Sequence, residues 1–409
     1  MSYSFVKITS YYKEFLKYYY SRYPEIRNKS YNEQLEHLMR QEFSMSDYYK
    51  QNFRTLNVDA HEIIGNAVDL QAAWAKENNV NVIGKELIIR QLKSISPEVV
   101  FFQDSSIYNG SWIEYVRSKV PSIKKIIGFR CSPYSKGNAF LFKNFDFMIA
   151  CSGEIAEELR CCGIKTYEIN HAFETSLVPL IENDNPWSEH DLTFIGSLFE
   201  GAGFHSKRKE LLEYLVAQGI DIKYYGNFPE QKNLLLRQIA YSFNFALRKT
   251  KLNGIIGSFD VLRKIDNLTS MPKYFRISEK IIKNSHPPVF GIEMYKLLNK
   301  SKISLNIHGD IALRDAANLR LFEVTGSGSC LLTDWKENIE KFFKPDEEIV
   351  CFKTPEECAE KIKWLIENPG KCKEIAVKGQ KRTLHDHSYH QRALLLNEII
   401  LNELRDLKK

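Results

Sequence analysis

The chain has no C-x-x-C pair, no Asp-x-Asp triplet, no long apolar run and no concentrated charge, and each absence excludes a class of protein. Its eight cysteines stand at 131, 151, 161, 162, 330, 351, 358 and 372. Without C-x-x-C spacing they suggest neither a zinc ribbon nor a redox motif, and they read as reduced, mostly buried thiols. Without Asp-x-Asp there is no carboxylate pair of the kind that bridges a divalent cation, so no metal and no cofactor are expected. No stretch approaches the ~18 uncharged residues that a membrane-spanning helix needs. Nothing after Met1 resembles a signal peptide, which leads to the expectation of a cytoplasmic protein. A net charge of +6 falls short of the basic face of a nucleic-acid binder, although it favours phosphorylated or anionic partners.

What remains is an ordinary globular composition, 44% apolar and 26% charged, in 409 residues. That length exceeds one hydrophobic core, so two domains with a cleft between them are expected. The first half alternates strand-like and helical patterns, as a doubly wound parallel sheet requires. Residues 97–102 read as a strand between helices near 85–93 and 112–120. Strands at 125–129 and 145–150 follow, and Ser152 then opens a helix as its N-cap. Residues 174–190, with two prolines, several acids and no clear period, read as a linker. A second α/β set follows: strand 191–195 ending in Gly196-Ser197, helix 206–218, and strands at 220–225, 303–307, 330–333 and 348–352. Residues 229–288 interrupt this scheme as a helical insertion. The basic, apolar part of it, about 232–264, offers a peripheral membrane contact, against the plainer reading of helices packed on their own domain. The Tyr-rich opening, Tyr11 to Tyr20, either lines a groove or simply packs.

The most informative segment runs Asn306-Ile-His308-Gly-Asp310-Ile-Ala-Leu-Arg314-Asp315-Ala-Ala-Asn318-Leu-Arg320-Leu-Phe-Glu323 and on through Gly326, Gly328 and Cys330-Leu-Leu-Thr-Asp334. It resembles the C-terminal signature of two-domain (GT-B) glycosyltransferases, especially the spore-maturation-protein B-like (CgeB-like) group, with its N-x-R-x-F-E and LLTD runs. The likeness is strong over 289–400 and weaker at 191–215. It implies an α/β fold of two Rossmann-like domains facing a cleft: an acceptor domain at 1–180, a donor domain at 181–390 and a C-terminal helix at 391–409. It also implies sugar transfer from a nucleoside diphosphate sugar to a glycan, lipid-linked or protein acceptor, as in surface polysaccharide synthesis. A nucleotide-sugar epimerase of the same fold and a non-catalytic binding protein stay open as alternatives.

The chemistry of such a donor suggests a role for each candidate. A diphosphate needs amides or cations, and a ribose diol needs a carboxylate. Glu323 takes the place of the ribose-binding second acid in the E-x7-E pattern of retaining relatives, and Asp315 the place of the first acid, one methylene shorter. Cleaving the sugar–phosphate bond builds negative charge on the leaving group, so cations are expected beside it. The resemblance draws them from Gly196-Ser197 and the helix at Ser206-Lys-Arg208-Lys, with Arg208 at the best-matching position. Asn318 and Arg320 lie at the next helix start, His308 and Asp310 at a strand end near the sugar, and Gly226 and Phe290 where backbone would read the base. Across the cleft, Asp104 follows a strand and is the candidate for orienting the acceptor hydroxyl, against the bland reading of a turn former. Arg130 ends the next strand similarly. The cluster His385-Asp386-His387-Ser388-Tyr389-His390 could suggest a metal, but Ser388-x-x-Gln391 reads as a capping box, and the structural reading is preferred.

Overall fold

A computed structural model describes residues 2–132, 134, 136–181, 186–198, 206–228, 235, 238–239, 241–243, 277–308 and 314–407. Most of the insertion, including nearly all of the segment proposed for membrane contact, and the loop carrying Asp310 lie outside these residues.

Two six-stranded parallel sheets organise the molecule. The first has the order β2-β1-β3-β4-β5-β6, with β1 Ser4–Thr9, β2 Asp59–Ile64, β3 Val99–Phe102, β4 Lys125–Arg130, β5 Phe147–Ala150 and β6 Thr166–Glu168. The second has the order β12-β11-β10-β7-β8-β9, with β7 His190–Ile195, β8 Lys223–Tyr225, β9 Ser285–His286, β10 Ser301–Asn306, β11 Cys330–Asp334 and β12 Val350–Phe352. Strands covered by helices on both faces must be apolar throughout, and β3 and β5 are buried at every position. β1 and β2 are exceptions in composition: each carries a charge at its middle, Lys7 and Glu62, and the two buried side chains pair at 3.2 Å.

The Tyr-rich opening forms α1 (Lys13–Arg22), which buries Phe15, Leu16, Tyr19 and Tyr20. Phe15 stacks on Phe43 with ring centroids 3.9 Å apart, while Tyr12, just before the helix, stays 69% exposed. The packing reading therefore holds for the buried face of the helix, and Tyr12 lies at the cleft. Further on come α2 (Tyr48–Thr55), α3 (Gly153–Cys161, capped by Ser152) and, in the second half, α4 (Ser206–Ala217), α5 (Gly291–Asn299), α6 (Arg320–Gly326) and α7 (Tyr389–Asp406).

One apolar cluster runs through both halves, from Phe5 and Phe101 to Tyr295, Phe322 and Leu396. The halves approach closely at Gly291, where a Cβ would lie 1.8 Å from Gln41 O, and at Gly326, where one would lie 2.3 Å from the Phe173 ring. The C-terminal helix α7 closes the interface by returning to the first domain. Tyr389 packs on Tyr48 with centroids 4.9 Å apart, and Glu403 accepts from Lys125 Nζ at 3.0 Å and Tyr167 Oη at 2.7 Å. Among the described residues, no helix is long and apolar enough to cross a membrane.

Ser388 begins α7 with the capping box expected from the sequence: its side chain accepts from Gln391 N, and the Gln391 side chain returns to Ser388 N. The neighbouring His387 is enclosed by Phe322, Phe342 and Phe343. Its Nε2–H donates to Phe342 O at 2.9 Å, and its Nδ1 accepts from Arg392 Nη2 at 3.1 Å. Both nitrogens are thus satisfied by a neutral ring. Burial first, then the Arg392 charge, push its pKa down to about 4 from the ordinary histidine value of 6.5. A depressed histidine binds its proton earlier in the unfolded chain, so its contribution to stability is intact above pH 6.5 and is lost as pH falls toward 4. Urea midpoints should therefore decline over that window in the wild type, and His387→Gln should flatten the decline. An acid limb unchanged in this variant would assign the effect elsewhere.

The thiol expectation needs a correction. Cys131 and Cys151 form a disulfide, Cys161 is exposed and Cys162 half-buried; only the remaining four are buried and free. The reason is topological. β4 and β5 are neighbours with Arg130 opposite Ala150, so the next residue on each strand is brought to a Cα separation of 5.2 Å despite twenty positions of sequence.

Candidate functional site

In parallel α/β sheets the carboxyl ends of the strands open outward, and ligands bind there. Here the carboxyl ends of both sheets meet across a cleft of about 340 Å³. The first domain contributes Tyr12 after β1, Gln103 to Ser106 after β3, Arg130 to Ser132 at the end of β4, and His171 beyond β6; the second contributes Arg208, His308 and Ala317 to Leu319. The structure thus brings five of the sequence candidates together: Asp104, Arg130, Arg208, His308 and Asn318.

Arg208 stands in the first turn of α4, and its side chain meets the residue that follows β10. Its Nε and Nη2 both donate to Ile307 O, at 3.2 and 3.0 Å, and its Nη1 donates to Ser197 O at 3.4 Å. These carbonyls aim the guanidinium. His308 follows Ile307 and is 3% exposed. Its Nδ1 lies 2.7 Å from Asp334 Oδ1, and the same oxygen accepts from His308 N at 2.9 Å. Burial pulls the Asp334 carboxyl upward, but the His308 contacts outweigh it and hold the group below its usual range. Asp334 was not among the sequence candidates. It was visible only as the last letter of the LLTD run, where nothing in sequence links it to position 308. Beside this pair, Asn318 Nδ2 donates to Asn306 Oδ1 at 2.7 Å, and Asn306 Nδ2 donates to Thr333 Oγ1 at 2.9 Å. The strand ends are therefore locked to the loop that leads into α6.

Glu323 lies one turn into α6, 6% exposed and outside the cleft wall. Arg320 Nη1 pairs with its Oε2 at 2.9 Å, and Tyr295 Oη donates to its Oε1 at 3.5 Å. Burial raises its pKa, and the Arg320 charge opposes the rise. Glu323 and Arg320 thus form a unit in which the cation holds a buried carboxylate.

Other candidates lie elsewhere. Asp315 does not line the cleft; its Oδ2 accepts from Glu154 N at 2.8 Å, so it tethers the start of α3 across the domain boundary. Asp104 does line the cleft, and its Oδ1 also accepts from Ser106 N at 3.2 Å and from the Ser106 hydroxyl, the turn-forming arrangement. Gly196 and Gly226 pack on each other at the ends of β7 and β8, where a Cβ on Gly226 would lie 2.1 Å from Gly196 O. Phe290 joins the aromatic cluster of α1, 5.8 Å from the rings of Phe15 and Phe43, so its ring serves the domain contact. Ser197 enters through its carbonyl, which Arg208 holds.

One cleft feature was not foreseen. Cys131 Sγ lies 3.1 Å from His171 Nε2 and 3.4 Å from Ala317 O. The ligand atoms of Cys131, Cys151 and His171 lie within 4.8 Å of one another, the only such trio of potential metal ligands among the described residues. Its two sulfurs are bonded to each other and offer no thiolate, which leaves His171 as the one strong ligand of the three. Burial pushes the His171 pKa down to about 4.

Residues 255–398, which contain β10, α6, β11 and the Glu323 unit, match the family described as glycosyl transferase-like. No curated protein matches the chain by sequence. Among solved structures, a glycosyltransferase from Rickettsia africae is similar at a TM-score of 0.56 and 11% identity, covering 98% of this chain and 99% of its own. HepE from Anabaena in complex with UDP and glucose is similar at 0.55 and 9%, covering 98% and 100%. A sucrose-phosphate synthase from Thermosynechococcus elongatus follows at 0.53 and 9%, with the same coverage. The chain therefore has the GT-B fold, two Rossmann-like domains facing a cleft, and is glycosyl transferase-like over residues 255–398.

Proposed function

We propose that this protein is a glycosyltransferase that moves a sugar from a nucleoside diphosphate donor, of the class of the UDP-glucose in complex with HepE, to a saccharide, lipid-linked or protein acceptor in surface glycan synthesis. The observation that carries this reading is the facing of Arg208, His308 and Asn318, at the edge of one sheet, by Asp104 and Arg130 at the edge of the other. In this reading the diphosphate lies against Arg208, which stabilises the charge that develops as the sugar–phosphate bond breaks. Glu323 takes the ribose diol, exchanging part of its bond with Arg320 for two hydroxyls. Fixed cations supply the charge that a metal would otherwise provide, so the proposed reaction is metal-independent.

Retention of anomeric configuration is the stereochemistry we favour. In a same-face reaction the departing phosphate takes the acceptor proton, which places no demand on a strong base. Asp104, with Ser106 on one of its oxygens, then orients the acceptor and does not need to deprotonate it. A thermal-shift panel of UDP-, GDP-, dTDP- and CMP-sugars tests the donor assignment, because a ligand bound to the folded state raises its melting temperature by mass action. One nucleotide class should stand out, and no shift with any of them would refute the reading. Proton NMR of the first-formed product then reads the anomer, and inversion would remove the retaining assignment.

A further inference from the structure

His308 is almost wholly buried in the cleft wall, and its two ring nitrogens differ sharply. Nδ1 faces the Asp334 carboxylate at 2.7 Å, with the Thr333 hydroxyl at 3.4 Å, whereas Nε2 is buried with no hydrogen-bond partner among the described residues. A buried polar atom left unpaired is costly, and where one persists beside a cleft it points to a ligand. The carboxylate accepts only, so it fixes the proton of a neutral ring on Nδ1 and leaves a lone pair on Nε2. Such a nitrogen recognises an O–H group and not a phosphate oxygen, which has no proton to give. The guanidinium of Arg208, held on the carbonyl of the adjacent Ile307, already supplies the charge for phosphate.

We propose that Asp334 is a positioning residue that sets the His308 ring so that Nε2 accepts a hydrogen bond from a hydroxyl of the sugar bound in the cleft. This rests on the donor assignment above and deepens it: His308 reads the sugar, while Arg208 and Glu323 read the nucleotide. The two parts therefore separate in experiment. With UDP and UDP-glucose as probes in calorimetry, His308→Ala should leave UDP affinity within about twofold and weaken UDP-glucose about tenfold, the effect of one lost hydrogen bond. Asp334→Ala should reproduce that split. Asp334→Asn, whose side-chain carbonyl still accepts from Nδ1–H, should recover most of the loss, which a merely structural role would not predict.

Nitrogen-15 NMR of the histidine ring tests the Asp334 half without any ligand. The proton should sit on Nδ1 in the wild type and Asp334→Asn, and be shared between the nitrogens in Asp334→Ala. A proton found on Nε2 in the wild type overturns the proposal, as does an equal loss of UDP and UDP-glucose affinity in His308→Ala. Wild-type protein that binds neither probe would defeat the donor assignment and the sugar half with it, while the ring proton would still decide the role of Asp334.

Discussion

Arg208→Ala should lower kcat/KM for the nucleotide-sugar donor by about 10²- to 10³-fold, the range seen when one preorganised stabiliser of developing charge is removed. The loss should fall more on kcat than on KM, because the leaving group carries more charge in the transition state than in the bound donor. The geometry makes this a prediction about aim as well as charge. Two of the guanidinium nitrogens share the Ile307 carbonyl and a third leans on Ser197 O, so the group is held at the strand ends before any donor arrives. Arg208→Lys keeps the charge but loses the planar fork, and should recover only part of the activity. Steady-state kinetics on both variants, with melting temperatures as a control for folding, checks the assignment. A fall of less than about threefold in Arg208→Ala would mean that the charge is neutralised elsewhere, for instance by Arg130 across the cleft, and that Arg208 serves only to fasten α4 to β10.

The legibility of this site in the sequence follows from how local each contact is. Strands such as Val99–Phe102 and Phe147–Ala150 were readable because they are continuous apolar runs with helical patterns beside them, and the observed elements fall within a few residues of the expected ones. The Ser388 capping box and the Ser152 N-cap were readable because each spans four residues. What sequence could not show was partnership over distance. Asp334 meets His308 across twenty-six positions, through the pairing of β10 with β11, and Cys131 meets Cys151 only because β4 and β5 are adjacent. Asp315 shows the same limit in reverse. Its spacing from Glu323 resembles the acid pair of retaining relatives, whereas in the fold its carboxylate is engaged by the amide of Glu154 from the other domain.

Legibility fails most clearly at β1 and β2, and the cause is also the source of the largest expected stability effect. A lysine and a glutamate at strand centres argue against burial, and here both are fully buried because each is the other's counter-ion. Lys7 Nζ lies 3.2 Å from Glu62 Oε1, donates to Gln103 Oε1 at 3.1 Å and is also bonded to Ser46 O. Burial pushes the Glu62 carboxyl up to about 8, with the Lys7 charge opposing the rise. Lys7→Met removes that opposition and should cost about 3–5 kcal/mol at pH 8, the usual penalty for stranding one member of a buried pair. Because a raised carboxyl binds more protons folded than unfolded, stability is present below its unfolded value of 4.5 and is lost as pH rises through the folded one. The variant should therefore be closer to wild type at pH 5 than at pH 8. Lys7→Met with Glu62→Leu should regain most of the loss by removing the stranded charge. Urea denaturation at the two pH values decides this: a single variant equally stable at both, or a double variant no better than the single, would show that the charges do not act as a pair. Gln103 lines the cleft, and Ser46 follows Ser44 and Met45, which also line it. The single variant should therefore lose activity at pH 8 before it loses its fold, because the loops that face Arg208 and His308 hang on the Lys7 ammonium.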